Sequence, residues 1–324
     1  MKRKDVVKNK INKKTLIKTI IITVIVAITA LLLVWIAMAA VSAYTLVSPN
    51  KNSILTMPEE LGLYYENITV QTDEGISLSG WFIPSQINKD DFNSAKRTVI
   101  FSHNYQSNRE MIEINAIYYA RRLVHEGFNV VMFDYSGCGS SGGSYYTLGV
   151  SEKDELNDVI NYVKEMLPDT DIAVHGWAFG AAAAIMAGAE NENVSTIISD
   201  SSYVDLDSYL NENISTWTLL PTKFLNSPVK PLAELFCGAD FSEASPLKSV
   251  TSMTGKNIYF IHSENDYVFP PQDSQTLYTA AKENNNADIW NVEKSLHIYA
   301  YVDQSDNYVS RVVGFLDDVM KKEA

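Results

Sequence analysis

Residues 19–47 carry no charged side chain, twenty-nine positions dense in Ile, Val, Leu and Ala. Backbone placed in hydrocarbon must satisfy its own hydrogen bonds, so such a run has one practical fold, a helix. About 20 apolar residues cross a bilayer in that form, which makes this run long enough to span with some tilt. Lys2, Arg3, Lys4, Lys8, Lys10, Lys13, Lys14 and Lys18 precede it, against the single acid Asp5. Clustered positive charge stays on the cytoplasmic side and sends the C-terminal part of the chain across the membrane. The expectation is a single-pass protein of the cell membrane: a cytoplasmic tail over 1–18, a transmembrane helix over 19–47 and an extracytoplasmic body. Val41-Ser42-Ala43 reads as a cleavage site in a competing view. The apolar core of a cleaved signal is about 7–15 residues, much shorter than this one.

The body is as acidic as the tail is basic. The whole chain is −13, and after residue 18 only 18 basic groups face 38 acids. Sequence-independent binding to nucleic acid needs clustered Lys and Arg, so that function class is excluded as a partner. A hydrophobic content of 46% with 18 tyrosines excludes a disordered chain. Cys138 and Cys237 allow one disulfide at most, so the fold rests on a core rather than on staples.

Residues 48–64 read as a linker and 65–324 as the folded domain. Strands are expected over 65–72 and 76–84, turned at Asp73-Glu74-Gly75, then over 97–102, 129–135, 171–175, 194–201, 257–262 and 288–292. Helices are expected over 109–125, 150–167, 179–189, 271–283 and 306–321. Such alternation argues for a mostly parallel sheet flanked by helices. Residues 203–250 interrupt it without a clear strand and read as a short inserted cap over one end of the sheet.

In an open α/β sheet, ligands bind at the carboxyl ends of the strands. There this chain places Ser102-His103-Asn104-Tyr105, Asp134-Tyr135-Ser136-Gly137-Cys138-Gly139, His175-Gly176-Trp177-Ala178-Phe179-Gly180, His262-Ser263-Glu264-Asn265-Asp266 and Ser295-Leu296-His297. Taken in order, these resemble the α/β-hydrolase superfamily over about residues 60–320. The branch resembled is the membrane-anchored bacterial one, similar to serine-aminopeptidase-like and esterase-like hydrolases. The resemblance implies a strand–turn–helix of pattern G-x-S-x-G, with the order nucleophile, acid, histidine along the chain. It matches Asp266 to the acid and His297 to the general base. The backbone N–H groups of Tyr105 and Phe179 become the oxyanion donors. The chemistry implied is hydrolysis of a small-molecule ester, thioester or amide, lipids and peptides included, through an acyl-enzyme, with no metal and no cofactor.

The nucleophile position holds Ala178. A methyl group cannot attack a carbonyl, so the chain as it stands is expected to be inactive. Two origins are open: a laboratory Ser→Ala change, or natural loss in a pseudoenzyme that binds a ligand or scaffolds a partner. Asn104 and Ser263 also stand where relatives usually carry Gly after a His. A third reading, proton abstraction by a His–Asp pair without a nucleophile, has no residue pointing to it. His103, His175 and His262 read as packing or supporting groups and His125 as a helix-end residue. The Gly-rich run 137–144 lacks a Gly-Lys-Ser/Thr ending, so it reads as a turn rather than a phosphate loop, and the resemblance implies that Asp134 organises it. Trp217, Leu219, Leu220, Phe224 and Leu225 are read either as an acyl-pocket lining or as the cap's own core.

Overall fold

A computed structural model of the chain describes residues 12–86, 95–218 and 220–320. Most of the basic tail and Leu219 lie outside that set. Eight strands form one sheet: β1 (Glu66–Gln71), β2 (Ser77–Ile83), β3 (Arg97–Ser102), β4 (Asn129–Phe133), β5 (Asp171–Trp177), β6 (Val194–Asp200), β7 (Asn257–Ser263) and β8 (Asn286–Val292). Their spatial order is β1-β2-β4-β3-β5-β6-β7-β8, antiparallel at β1/β2 and β2/β4 and parallel from β4 onward. β3, β4 and β5 are buried along nearly their whole length, which is why they read as continuous apolar runs rather than alternating ones. Gly75, at φ 80°, closes the expected turn between β1 and β2 by donating to the Thr72 carbonyl at 2.8 Å.

The first helix, α1 (Lys13–Val47), is long and apolar enough to cross a membrane. Its residues to Trp35 are exposed or half-exposed, whereas Ala39, Ser42, Ala43, Leu46 and Val47 are buried on one face. Helices α2 (Ala116–His125), α3 (Val150–Met166) and α4 (Phe179–Glu190) follow β3, β4 and β5 in turn. Between β6 and β7 lie α5 (Leu206–Asn213), α6 (Lys223–Asn226), α7 (Val229–Cys237) and α8 (Pro246–Ser252), with no strand among the described residues there. α9 (Pro271–Ala281), α10 (Ala300–Asp303) and α11 (Ser305–Val319) complete the chain, and α1 packs its last turns on α7.

The helix expected from 109 starts seven residues later. Arg109 is held by Asp134 instead: its amide donates to Oδ1 at 2.6 Å and its guanidinium meets Oδ2 at 2.9 Å, both groups buried. Met111 and Asn115, at φ 41° and 55°, break the backbone before α2 begins. The expected linker is likewise stitched to the body, with Leu55 donating to Glu110 at 2.7 Å and Lys51 to the Ser141 carbonyl at 3.0 Å.

Candidate active site

β5 ends in Gly176-Trp177 and α4 begins at Phe179, so Ala178 alone makes the turn between them. Its backbone sits at φ 52°, ψ −114°, a conformation few residues with a Cβ adopt. The turn is over-determined from outside. Ala178 donates to the Asp200 carbonyl at 2.8 Å, and its own carbonyl accepts from Ala181 and Ala182. A Cβ on Gly176 would strike the Gly180 carbonyl, and one on Gly180 would strike the carbonyls of Ser102 and His103. Both glycines are therefore required by close approach, and α4 is pressed against the loop after β3. The side chains Ala181–Ala184 are fully buried, which lets the helix lie flat on the sheet.

Two other strand ends bring the titratable groups. Asp266, in the loop after β7, accepts from the amides of Val268 at 2.8 Å and Phe269 at 2.9 Å through Oδ1. Its Oδ2 lies 2.6 Å from His297 Nδ1 and 3.2 Å from His262 Nε2. Burial pushes the carboxyl up, but the hydrogen bonds from the two histidines outweigh it and hold it at about 2. An ionised Asp266 fixes His297 with a proton on Nδ1, which leaves Nε2 as the basic nitrogen. His262 is tied on its other side to Ser274 at 2.6 Å, so it braces the aspartate. One ring links His297 to the residue after the turn: Phe269 packs edge-on to Phe179 at 5.1 Å and edge-on to His297 at 5.4 Å.

The expected oxyanion donors differ from one another. Phe179 is the first residue of α4, where amides have no partner within the helix. The Tyr105 amide is occupied, donating to Asn104 Oδ1 at 2.7 Å. Asn104 thus supplies its own acceptor at the place where a glycine would leave the N–H open. The Tyr105 side chain leaves the site and donates from its hydroxyl to the Leu46 carbonyl at 2.8 Å, at the end of α1. Its ring, with those of Phe179 and Trp217, forms an edge-to-face trio closed by Trp217 Nε1 donating to the Tyr209 hydroxyl at 3.0 Å.

The remaining histidines have partners that fit supporting roles. His103 donates from Nδ1 to the Asn104 carbonyl at 2.7 Å and accepts the Tyr135 amide at 3.0 Å, and burial lowers its pKa. His175 lies between the hydroxyls of Tyr119 and Tyr308, and Tyr308 continues to Asp200 Oδ2 at 2.8 Å. This buried chain behind the turn went unread in the sequence, because its members come from α2, β5, β6 and α11. Asp134 organises the Gly loop: it accepts the Ser140 amide at 2.8 Å and sits where a Cβ on Gly139 would fall. Cys138 and Cys237 are both free thiols.

The prolyl oligopeptidase family profile matches residues 116–323. YqkD of Bacillus subtilis (strain 168) is 28% identical over 229 residues, 68% of this chain and 72% of that protein. YfhR of Escherichia coli (strain K12) is 26% identical over 256 residues, 78% and 80% of the two chains. Among solved structures, the Pyrococcus furiosus esterase Pf2001 superposes with a TM-score of 0.70 at 27% identity, over 85% of this chain and 98% of that one. Sheet order, the strand–turn–helix at Ala178 and the family match agree: the chain belongs to the prolyl oligopeptidase family, within the α/β-hydrolase superfamily.

Proposed function

We propose that this is a membrane-anchored serine-hydrolase-type protein with acyl-enzyme architecture, in which Ala178 occupies the nucleophile position. Asp266 is the acid, His297 the general base, and the Phe179 amide the open oxyanion donor. Residues 1–18 form a cytoplasmic tail, 19–47 the anchor, 48–64 a tethered linker and 65–324 the hydrolase domain, with 203–250 lying over the site. The reading is carried by one observation: the 2.6 Å bond between Asp266 and His297, linked through the Phe269 ring to Phe179, the residue after a turn strained to φ 52° at Ala178. That strain and that bond have no use in packing alone, since an unstrained turn and apolar contacts would stabilise the same strands. In this state the site holds an ester, thioester or amide without cleaving it.

The test is Ala178→Ser, assayed with a fluorophosphonate probe and an activated short-chain ester. Covalent labelling confined to the serine variant, with turnover on the order of 10⁴-fold above the parent, is the expected result. A second variant, Ala178→Ser with Asn104→Gly, opens the Tyr105 amide. Two folded variants that neither label nor turn over would overturn the catalytic reading. They would favour a second one, a ligand-capturing protein, to which the self-satisfied Tyr105 amide already points.

A further inference from the structure

The apolar part of α1 is longer than a bilayer requires. Its 29 uncharged residues rise about 44 Å at roughly 1.5 Å each, against a hydrocarbon core of about 30 Å, a surplus of some nine residues. If Lys18 marks the cytoplasmic edge, residues 19–38 fill the core and 39–47 emerge. The helix changes environment at that point: Ala39 is its first fully buried residue, with Ser42, Ala43, Leu46 and Val47 after it at spacings that define one face. The surplus turns are the seat on which the folded body rests.

The body does not stop at that seat. The segment after α5 reaches back along α1 as far as Trp35, four residues inside the outer edge so defined. There Trp35 Nε1 donates to the Leu225 carbonyl at 2.8 Å, and the Phe224 ring stacks on the Trp35 ring at 5.7 Å and 11°. Phe224 is nonetheless 73% exposed. A large apolar ring held against a membrane helix, at the depth where Trp side chains collect, is expensive in water and stable in lipid. The residues around it, Thr222, Lys223, Leu225 and Asn226, include no acid, although the body as a whole is strongly acidic. Asn226, almost fully buried, fixes the segment by donating to Ser215 Oγ and to the carbonyls of Leu220 and Thr222. The same segment carries Trp217, which packs over Tyr105 and Phe179 at the strained turn.

We infer that the α6 turn, with Phe224 at its tip, is immersed in the outer leaflet of the bilayer that holds α1, as a second membrane contact. It rests on the anchor reading of α1. The contact presses the Ile214–Asn226 segment against the leaflet, so Trp217, above the site, lies at the lipid surface. A molecule approaching past Trp217 comes from the leaflet rather than from bulk water.

Nitroxide labels on the full-length protein in phospholipid nanodiscs test this. Cys237→Ser removes the half-exposed native thiol, and Cys138 stays buried. Single cysteines then replace Phe224, Ile25 in α1 and Glu283 beyond α9. All three native side chains are exposed, so none of the changes disturbs the core. Relaxation by oxygen and by a water-soluble nickel chelate is compared at each site. The inference expects Phe224→Cys to match Ile25→Cys, open to oxygen but with nickel access about tenfold below that at Glu283→Cys, as hydrocarbon excludes a polar chelate. Nickel access at 224 equal to that at 283, with 25 still protected, overturns the inference and leaves the anchor standing. Nickel access at 25 as well overturns the anchor itself. Protection at 224 from oxygen and nickel alike means that a second protein copy covers the turn, and it also overturns the inference.

Discussion

In the loops after β7 and β8, Asp266 and His297 lie 2.6 Å apart, braced by His262 and two backbone amides. At the strained turn itself Ala178 offers a methyl group, and in the loop after β3 Asn104 takes up the Tyr105 amide. The two halves of the proposed reaction centre therefore differ. The acid–base half is satisfied by partners that would suit proton transfer, whereas in the other half the Phe179 amide is open and the Tyr105 amide is satisfied by its own neighbour. Buried polar groups need partners in either case. The difference is whether the partner leaves a reactive atom free, as at His297 Nε2, or consumes it, as at the Tyr105 N–H.

The strongest way to break this comparison is to remove the acid once the nucleophile is restored. In an Ala178→Ser background, Asp266→Asn should lower kcat for an activated ester by about 10⁴-fold, because the base is left in the wrong tautomer. A fall of under about tenfold would mean that Asp266 does not orient the base. Asp200, the buried carboxylate at the end of β6, would then be the acid to test next.

The other half should respond in the opposite direction. Asn104→Gly, added to Ala178→Ser, removes the side-chain acceptor and frees the Tyr105 amide for a developing oxyanion. One such donor is worth on the order of 10²-fold in kcat. An increase of that order with KM little changed is expected from stopped-flow acylation kinetics. An unchanged rate would show that the Tyr105 amide does not face the reacting carbonyl.

Much of this was legible in the residues, for physical reasons that differ by region. The parallel strands declared themselves because strands buried on both faces must be apolar throughout, as over 97–102 and 257–262. The turn at Ala178 was legible because only glycine survives the approach of α4 to β5 at Gly176 and to the end of β3 at Gly180. That Asp266 and His297 would meet was an expectation of the family resemblance, and the two side chains do pair. The start of α2 was not legible, since it is set by left-handed backbone at Met111 and Asn115, which those residue types do not announce. Nor was the capped amide of Tyr105, because an asparagine after a histidine is silent until its side-chain rotamer is known. The excess length of the apolar run was plain to count, but its use required knowing where the body sits.

The smallest expected effect is on stability, and it separates the two carboxylates at the heart of the comparison. Asp266 is held at about 2 in the folded chain, below its ordinary value. Its contribution is therefore complete above about pH 4 and lost as pH falls toward 2. Asp200 runs the other way: burial lifts it to about 6 against the hydrogen bonds from Tyr308 and Ser201. The native state then binds the extra proton between about pH 4 and 6, so stability declines as pH rises through that window. Each limb is on the order of 2–3 kcal/mol at most, the value of a shift of about two units. Urea unfolding of the full chain in detergent, monitored from about pH 2.5 to 7, should show a maximum near pH 4 from this pair. Asp266→Asn should flatten the acid limb alone, and Asp200→Asn should make the limb above it shallower, since Asp273, which burial also lifts to about 6, shares that window. An acid limb that survives Asp266→Asn would mean that the histidine bonds do not hold this carboxylate ionised, and the acid–base half would lose its distinction from the other.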